Sequence, residues 1–210
     1  MDKSARNTGE VPPDFLSALL SIRDAVCPPQ IQLEEVPAPR GIAPFCAALH
    51  ASVPQEISEV PLASGSFVVL HDPDTQPGWG GKTRLVVHAR SQFDVDLAQD
   101  PLMSEVLWSW THEALDVCGA NVRRMNGTVT RELADAFGGL QLRSSRAHVD
   151  LRGSWTPAAI DLAPHVNAWL TLLGHMSATT DPADPTDFTT AAQPPQTIST
   201  LNIPRPVPHV

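Results

Sequence analysis

The chain has 210 residues, with 14 Lys+Arg against 23 Asp+Glu and a formal charge of −9, a balance that argues against coating nucleic acid or an anionic membrane, where Lys and Arg must neutralise phosphates. With 42% hydrophobic residues but 21 prolines and no tyrosine, it has material for one modest core flanked by loose ends. Cys27, Cys46 and Cys118 show no C-x-x-C spacing and are odd in number, which excludes a disulfide scaffold and a four-thiolate metal site and suits a reducing, cytoplasmic compartment.

Residues 1–12 are polar and are expected to be flexible; Met1 to Glu10 lacks an apolar segment behind its Lys and Arg, so no leader is expected. Pro13 and Asp14 open a predicted helix with Phe15, Leu16, Leu19, Leu20, Ile22 and Val26 as its stripe, stopped by Pro28 and Pro29. Residues 31–36 alternate and are bracketed by prolines, which predicts an edge strand. Residues 42–53 fit a helix or a strand; alternation of Phe45, Ala47, Leu49 and Ala51 favours the strand.

Residues 66–71 and 83–93 read as strands joined by a long turn over 72–81. A helix is then expected with Asp100 as N-cap and Pro101 at its first position, burying Met103, Val106, Leu107, Trp110, Ala114 and Val117 and ending at Gly119. Strands follow over 124–133 and 146–155, with Phe137–Gly138–Gly139 in the turn, and Leu162, Val166, Trp169, Leu170 and Leu173 line a last helix. No apolar run approaches the ~20 residues of a membrane span. From Ser177 to Val210 the chain is rich in proline and threonine and has few charges, so residues 177–210 are expected to form a disordered tail.

A shift of 62 positions lays Gly65 on Gly127, Arg84 on Arg146, Val87 on Val149 and Arg90 on Arg152, with Phe93 opposite Trp155. The predicted architecture is therefore a single α+β domain over 13–176. It comprises an N-terminal helix and an antiparallel sheet with helices on one face, built on a duplicated ββα unit (65–118 and 127–176). The runs A-P-R-G-I-A-P-F (38–45), L-H-D-P-D (70–74), W-S-W (108–110), G-T-V-T-R (127–131), F-G-G-L (137–140) and S-W-T-P (154–157) resemble an actinobacterial family of domains of unknown function over roughly 14–175. That resemblance implies one ordered domain and leaves activity, cofactor and catalytic residues open.

The main candidate site comes from strand parity. If Leu85, Val87, Ala89 and Phe93 face the core, then Arg84, His88, Arg90 and Gln92 point away; likewise Arg146, His148, Asp150, Arg152 and Ser154 lie outside Ala147, Val149, Leu151 and Trp155. Four arginines on one sheet face suit a carboxylate or phosphate, and a histidine there titrates near neutral pH. The plainer alternative is a solvated face whose arginines pair with Asp150, Glu132 and Asp72.

A second candidate is the turn with His71, Asp72, Asp74, Gly78, Trp79, Gly80, Gly81 and Lys82. There a cation or anion site competes with ordinary turn chemistry, which is the favoured reading. No nucleophile stands out, because Cys118 and Cys27 follow helix ends, where the dipole disfavours a thiolate. Trp108 and Trp110 cannot share a helix face. Trp110 is expected in the core, and Trp108 either at an exposed flank or under the N-terminal helix.

The expected function is a non-enzymatic binding or adaptor module with no cofactor or metal. Its partner would be an unidentified protein or a small anionic ligand, with neither membrane nor nucleic acid. The rival is an anion-binding sensor or enzyme using Arg84, His88, Arg90, Arg146, His148, Asp150 and Arg152.

Overall fold

The computed structural model describes residues 11–55, 59–139, 141–179 and 196–197, with backbone only at 136, 141–146 and 196–197. The elements are α1 (Pro13–Ser21), continued by a 3-10 turn (Ile22–Asp24), then β1 (Val26–Cys27), β2 (Gln32–Val36), β3 (Phe45–Val53), β4 (Ala63–His71) and β5 (Thr83–Phe93). There follow α2 (Val95–Gln99), α3 (Met103–Val117), β6 (Val122–Gly138), β7 (Gln141–Pro157), α4 (Ala163–Ala178) and β8 (Gln196–Thr197). Strands β2 to β7 form one antiparallel sheet in the order β2-β3-β4-β5-β7-β6. The class is α+β, as expected.

Residues 42–53 resolve in favour of the strand, β3, which pairs with β4 over its full length. Residues 31–36 form the edge, β2. The N-terminal helix ends earlier than its stripe suggests. Beyond Asp24 the chain extends into β1, where Val26 is exposed, as is Leu20.

The 100–119 helix begins two residues late. Asp100 Oδ1 accepts from Leu102 N at 2.8 Å, so Asp100 and Pro101 form a turn before the helix. A short helix absent from the sequence reading, α2, precedes it and is capped by Asp94, whose side chain accepts from the amides of Asp96 and Leu97. The buried face of α3 is Met103, Leu107, Thr111, Ala114 and Leu115; Val117 is 78% exposed and Trp110 is only half-buried. Met103, Leu107 and Ala114 face inward as expected, and Thr111 and Leu115 take the places assigned to Trp110 and Val117.

One face of the sheet carries the core. Phe67 and Val69 of β4, Leu85, Val87 and Ala89 of β5, and Val149, Leu151 and Trp155 of β7 are all buried beneath the helices. The expectation that Trp155 and Trp169 share the interior of Val87 and Val149 holds, both rings being 1% exposed. The Trp169 indole N–H donates to the backbone carbonyl of His88 at 3.1 Å. It can come so close because Gly65 has no side chain: a Cβ there would lie 2.1 Å from that carbonyl oxygen and 3.2 Å from the indole nitrogen. The Trp155 indole donates to His165 Nδ1 at 3.2 Å, which holds His165 as the neutral tautomer with its proton on Nε2. Burial lowers the His165 pKa to about 4.

The two strand-strand-helix runs recur in order, and their second strands, β5 and β7, lie side by side in the sheet. Their lengths differ, at 9 and 11 residues against 17 and 17, and α2 interrupts the first. Antiparallel hairpins covered by helices produce such an order without duplication, so a shared element order is established and a duplication is not.

Most of the expected tail, 180–210, lies outside the described residues. Within it, Gln196–Thr197 pair antiparallel with Val26–Cys27, and α4 runs two residues past the expected boundary, to Ala178.

Candidate functional site on the bare sheet face

Among the described residues no helix covers the second face of the sheet, because α1 to α4 all pack on the face that holds the core. Register places Glu34, His50, Ser66, His88, Arg152 and Thr128 in one row across all six strands, with Gln32, Ser52, Ser64, Arg90, Asp150 and Thr130 in the next. The parity argument thus put the expected residues on this face, but their environments differ sharply.

Arg84 is not a ligand-facing group. It is 7% exposed. Its Nη1 donates to Arg124 O at 2.9 Å and Thr156 Oγ1 at 3.3 Å, and its Nη2 to Ser154 O at 3.0 Å and Ser154 Oγ at 2.7 Å. Burial, then the neighbouring Arg124, lower its pKa. Arg84 acts as a joint because β6 breaks register between Arg123 and Asn126, with Arg124 at φ 50°, exposing a carbonyl that needs a donor.

The long turn folds onto the same corner. Thr156 Oγ1 donates to Trp79 O at 2.6 Å. Gly80, at φ +71°, leaves room for the Arg124 side chain, whose Nε would sit 2.3 Å from any Cβ there.

In the middle of the face, His88, Asp150, Arg90 and Glu132 form a chain across three strands. His88 Nε2 meets Asp150 Oδ1, Arg90 Nη1 lies 3.2 Å from Asp150 Oδ2, and Arg90 Nη2 lies 3.2 Å from Glu132 Oε2. The plainer expectation therefore applies to Arg90, with Asp150 and Glu132 as its partners; Asp72 takes no part. His148 stands opposite Gln92 and Glu132. Arg146 is on β7 opposite Ala134, and its side chain lies outside the described residues.

Arg152 differs from Arg84 and Arg90: it is exposed, and its side chain makes no hydrogen bond or ion pair among the described residues. It borders a shallow open depression of about 240 Å³ with Val86, Asn126, Thr128 and Ser154.

The turn candidate does not assemble. Asp72 Oδ1 accepts from Asp74 N at 3.0 Å and Asp72 O from Thr75 N at 3.0 Å, so the carboxylate closes its own turn. His71 points to the opposite, covered face, against the Phe15 and Phe45 rings. Its Nδ1 is 3.0 Å from Thr83 Oγ1 and its Nε2 3.6 Å from Asp14 Oδ1. Burial lowers its pKa, which Asp14 partly offsets. The alternation Phe67, Val69, His71 is the signal that assigns it inward. Among the described residues no group of three or more His, Cys, Asp or Glu is arranged to hold a metal ion.

Cys27 and Cys46 are pushed up in pKa by burial, away from reactivity. Trp108 is partly exposed at the flank of the buried stripe, one of its two expected placements. It packs against Gly127 of β6, where a Cβ would come within 2.5 Å of its ring.

The fold and face together define a one-sided α+β sheet protein with a polar, largely flat open surface. The chain belongs to the DUF3000 family, described as a protein of unknown function, whose family model matches residues 11–185. No curated protein and no solved structure matches the chain significantly. Among the described residues, no helix is long and apolar enough to cross a membrane.

Proposed function

We propose that this chain is a non-enzymatic binding or adaptor module that presents its bare sheet face to a protein partner. The observation that carries this reading is that, among the described residues, nothing covers this face of a six-stranded sheet whose central charges are already tied to one another. Ligand and active sites are enclosed clefts of about 300–1,000 Å³ lined by convergent polar groups. Here the best-formed depressions are open and about 220 and 240 Å³, and two of the three arginines with described side chains are engaged. A flat face of short Ser, Thr and Ala side chains around a fixed His-Asp-Arg-Glu chain suits a broad macromolecular contact. The charge of −9 and the lack of aromatic rings along the paired rows of this face argue against nucleic acid. Three free cysteines support a cytoplasmic setting.

The test is to isolate a partner on the full chain and measure its affinity for wild type, Arg152→Glu, Ser66→Arg and the helix-side control Glu105→Arg. The two sheet-face variants should each weaken binding about tenfold or more, about 1.4 kcal/mol, and the control should not. Equal affinity for all four would remove the face from the interaction.

Arg152 beside Asn126, Thr128 and Ser154 favours a second reading, a small-anion sensor. In that case phosphate should raise the melting temperature above chloride at equal ionic strength, and Arg152→Ala should abolish the difference.

A further inference from the structure

The two edges of the sheet are built differently. At one edge, β2 has five residues, two of them Glu34 and Glu35, between Pro29 and Pro37. Such an edge is protected against pairing with another strand. At the other, β6 has seventeen residues with neither proline nor lysine, and among the described residues no strand lies on its outer side. Side chains from Thr130 to Asp135 are exposed, with Leu133 at 52% and Phe137 at 72%. Because β5 ends at Phe93, opposite Ala147, the β6–β7 hairpin continues beyond Leu133 as a two-stranded ribbon, a form marginally stable in water by itself.

The sequence along this edge is complementary to itself. Consider two copies of β6 set antiparallel about a two-fold axis that passes through Leu133 perpendicular to the sheet. On the core-side face, Leu133 then meets Leu133, Arg131 meets Asp135 twice, and Val129 meets Phe137. On the bare side, Thr130 meets Ala136, Glu132 meets Ala134 and Thr128 meets Gly138.

Apolar groups meet apolar groups, opposite charges meet, and no like charges are opposed, the combination that stabilises directly facing cross-strand pairs. Centring on Arg131, Glu132 or Asp135 instead opposes identical charges, and centring on Ala134 sets Leu133 against Asp135. The register irregularity near the tip leaves this alternation intact, since Ala136 and Phe137 face Ser144 and Leu142 and the extra residue is in β7. Arg131 also has donors to offer: its bonds to Ala98 O and Asp100 O both come from Nη1.

We propose that the outer edge of β6 is a homodimer interface, in which a second copy of this chain pairs strand to strand about Leu133. The product is one continuous twelve-stranded antiparallel sheet. A two-fold axis perpendicular to a sheet keeps its faces together, so both helical layers lie on one side and both bare faces on the other. The interface stands independently of whether the bare face binds a protein.

Sedimentation velocity of the full chain from about 1 to 200 μM measures the assembly, a span of roughly two decades suited to a micromolar Kd. Wild type should be dimeric in the upper part of that range. Leu133→Lys sets two ammonium groups on the axis, and Asp135→Arg opposes Arg131 twice; each should give a monomer whose melting temperature, taken at about 1 μM where wild type is also monomeric, is unchanged. The exchange Arg131→Asp/Asp135→Arg should restore the dimer.

The register has its own readout. Leu133→Cys should form an intermolecular disulfide under mild oxidation, since facing residues on paired strands lie within bonding reach. Val129→Cys should not, its symmetry mate being about eight residues, roughly 27 Å, along the strand. A wild type that is monomeric throughout, a dimer that survives both single charge-introducing variants, or crosslinking at 129 rather than 133 would overturn the proposal.

Discussion

The two faces of the one sheet use the same strands for opposite ends. On the covered face, side chains two apart along β4, β5 and β7 are mostly apolar and buried against α1, α3 and α4; the few polar groups include the two matched indoles and His71, whose buried Nε2 has no hydrogen-bond partner among the described residues. On the bare face the intervening residues are mixed: small or apolar at Ala48, Val68, Leu70 and Val86, short and polar at Ser52, Ser64 and Ser66, and charged at the centre, where His88, Asp150, Arg90 and Glu132 pair laterally. Substitutions on the first face should therefore act strongly on stability, and those at exposed positions of the second should leave it little changed. Arg84 is the exception, a bare-face residue that became buried because the β6 bulge and the long turn close over it.

Trp169→Ala should give the largest effect, about 3–5 kcal/mol lost in urea unfolding, because it empties a large buried site. A loss below about 1 kcal/mol would mean that α4 does not anchor the covered face.

Next comes acid. His165 titrates near 4 when folded against the ordinary 6.5. Below 6.5 the unfolded chain therefore binds more protons than the folded one. This contribution to stability is fully present above pH 6.5 and declines as pH falls toward 4, by about 3 kcal/mol in all. His71, also lowered by burial, acts with the same sign. His165→Gln keeps an acceptor for the Trp155 indole and removes the titration, so its stability should fall less steeply between pH 6.5 and 4. Parallel curves for wild type and variant would show that His165 is not buried in the neutral form.

Arg84→Met should cost about 2–3 kcal/mol by stranding the carbonyls of Arg124 and Ser154, far more than other substitutions on its face. Arg152→Ala should change stability by no more than about 0.5 kcal/mol, as at a surface position without partners. If Arg84→Met proves as mild as Arg152→Ala, the distinction between joint and open surface fails.

How much was legible from sequence follows the same division. Period-two alternation carried the strands well: β5 has its expected bounds, and His88, Arg90, Asp150 and Arg152 lie on the expected face. The helices were less well resolved. Val117 was assigned inward from spacing alone, yet it is exposed, because the buried stripe runs through Met103, Leu107, Thr111, Ala114 and Leu115, and Val117, two residues past Leu115, lies about 200° around the helix from it. Short α2 was missed because five residues carry too little periodicity to register.

The chain's alternation determined by itself that there would be a half-buried antiparallel sheet, which residues would line each face, and that prolines would close one edge. Alternation is a local property of the backbone, so neighbours in sequence suffice to specify it. Only the tertiary structure decided that Arg84 is a buried joint, Arg90 a paired link and Arg152 an unpaired charge, although all three are arginines on one face. Their partners come from residues 40 to 72 positions away, through Arg124, Glu132, Asp150, Ser154 and Thr156. A guanidinium is a donor of fixed shape whose role is set by the acceptors that long-range pairing brings within reach.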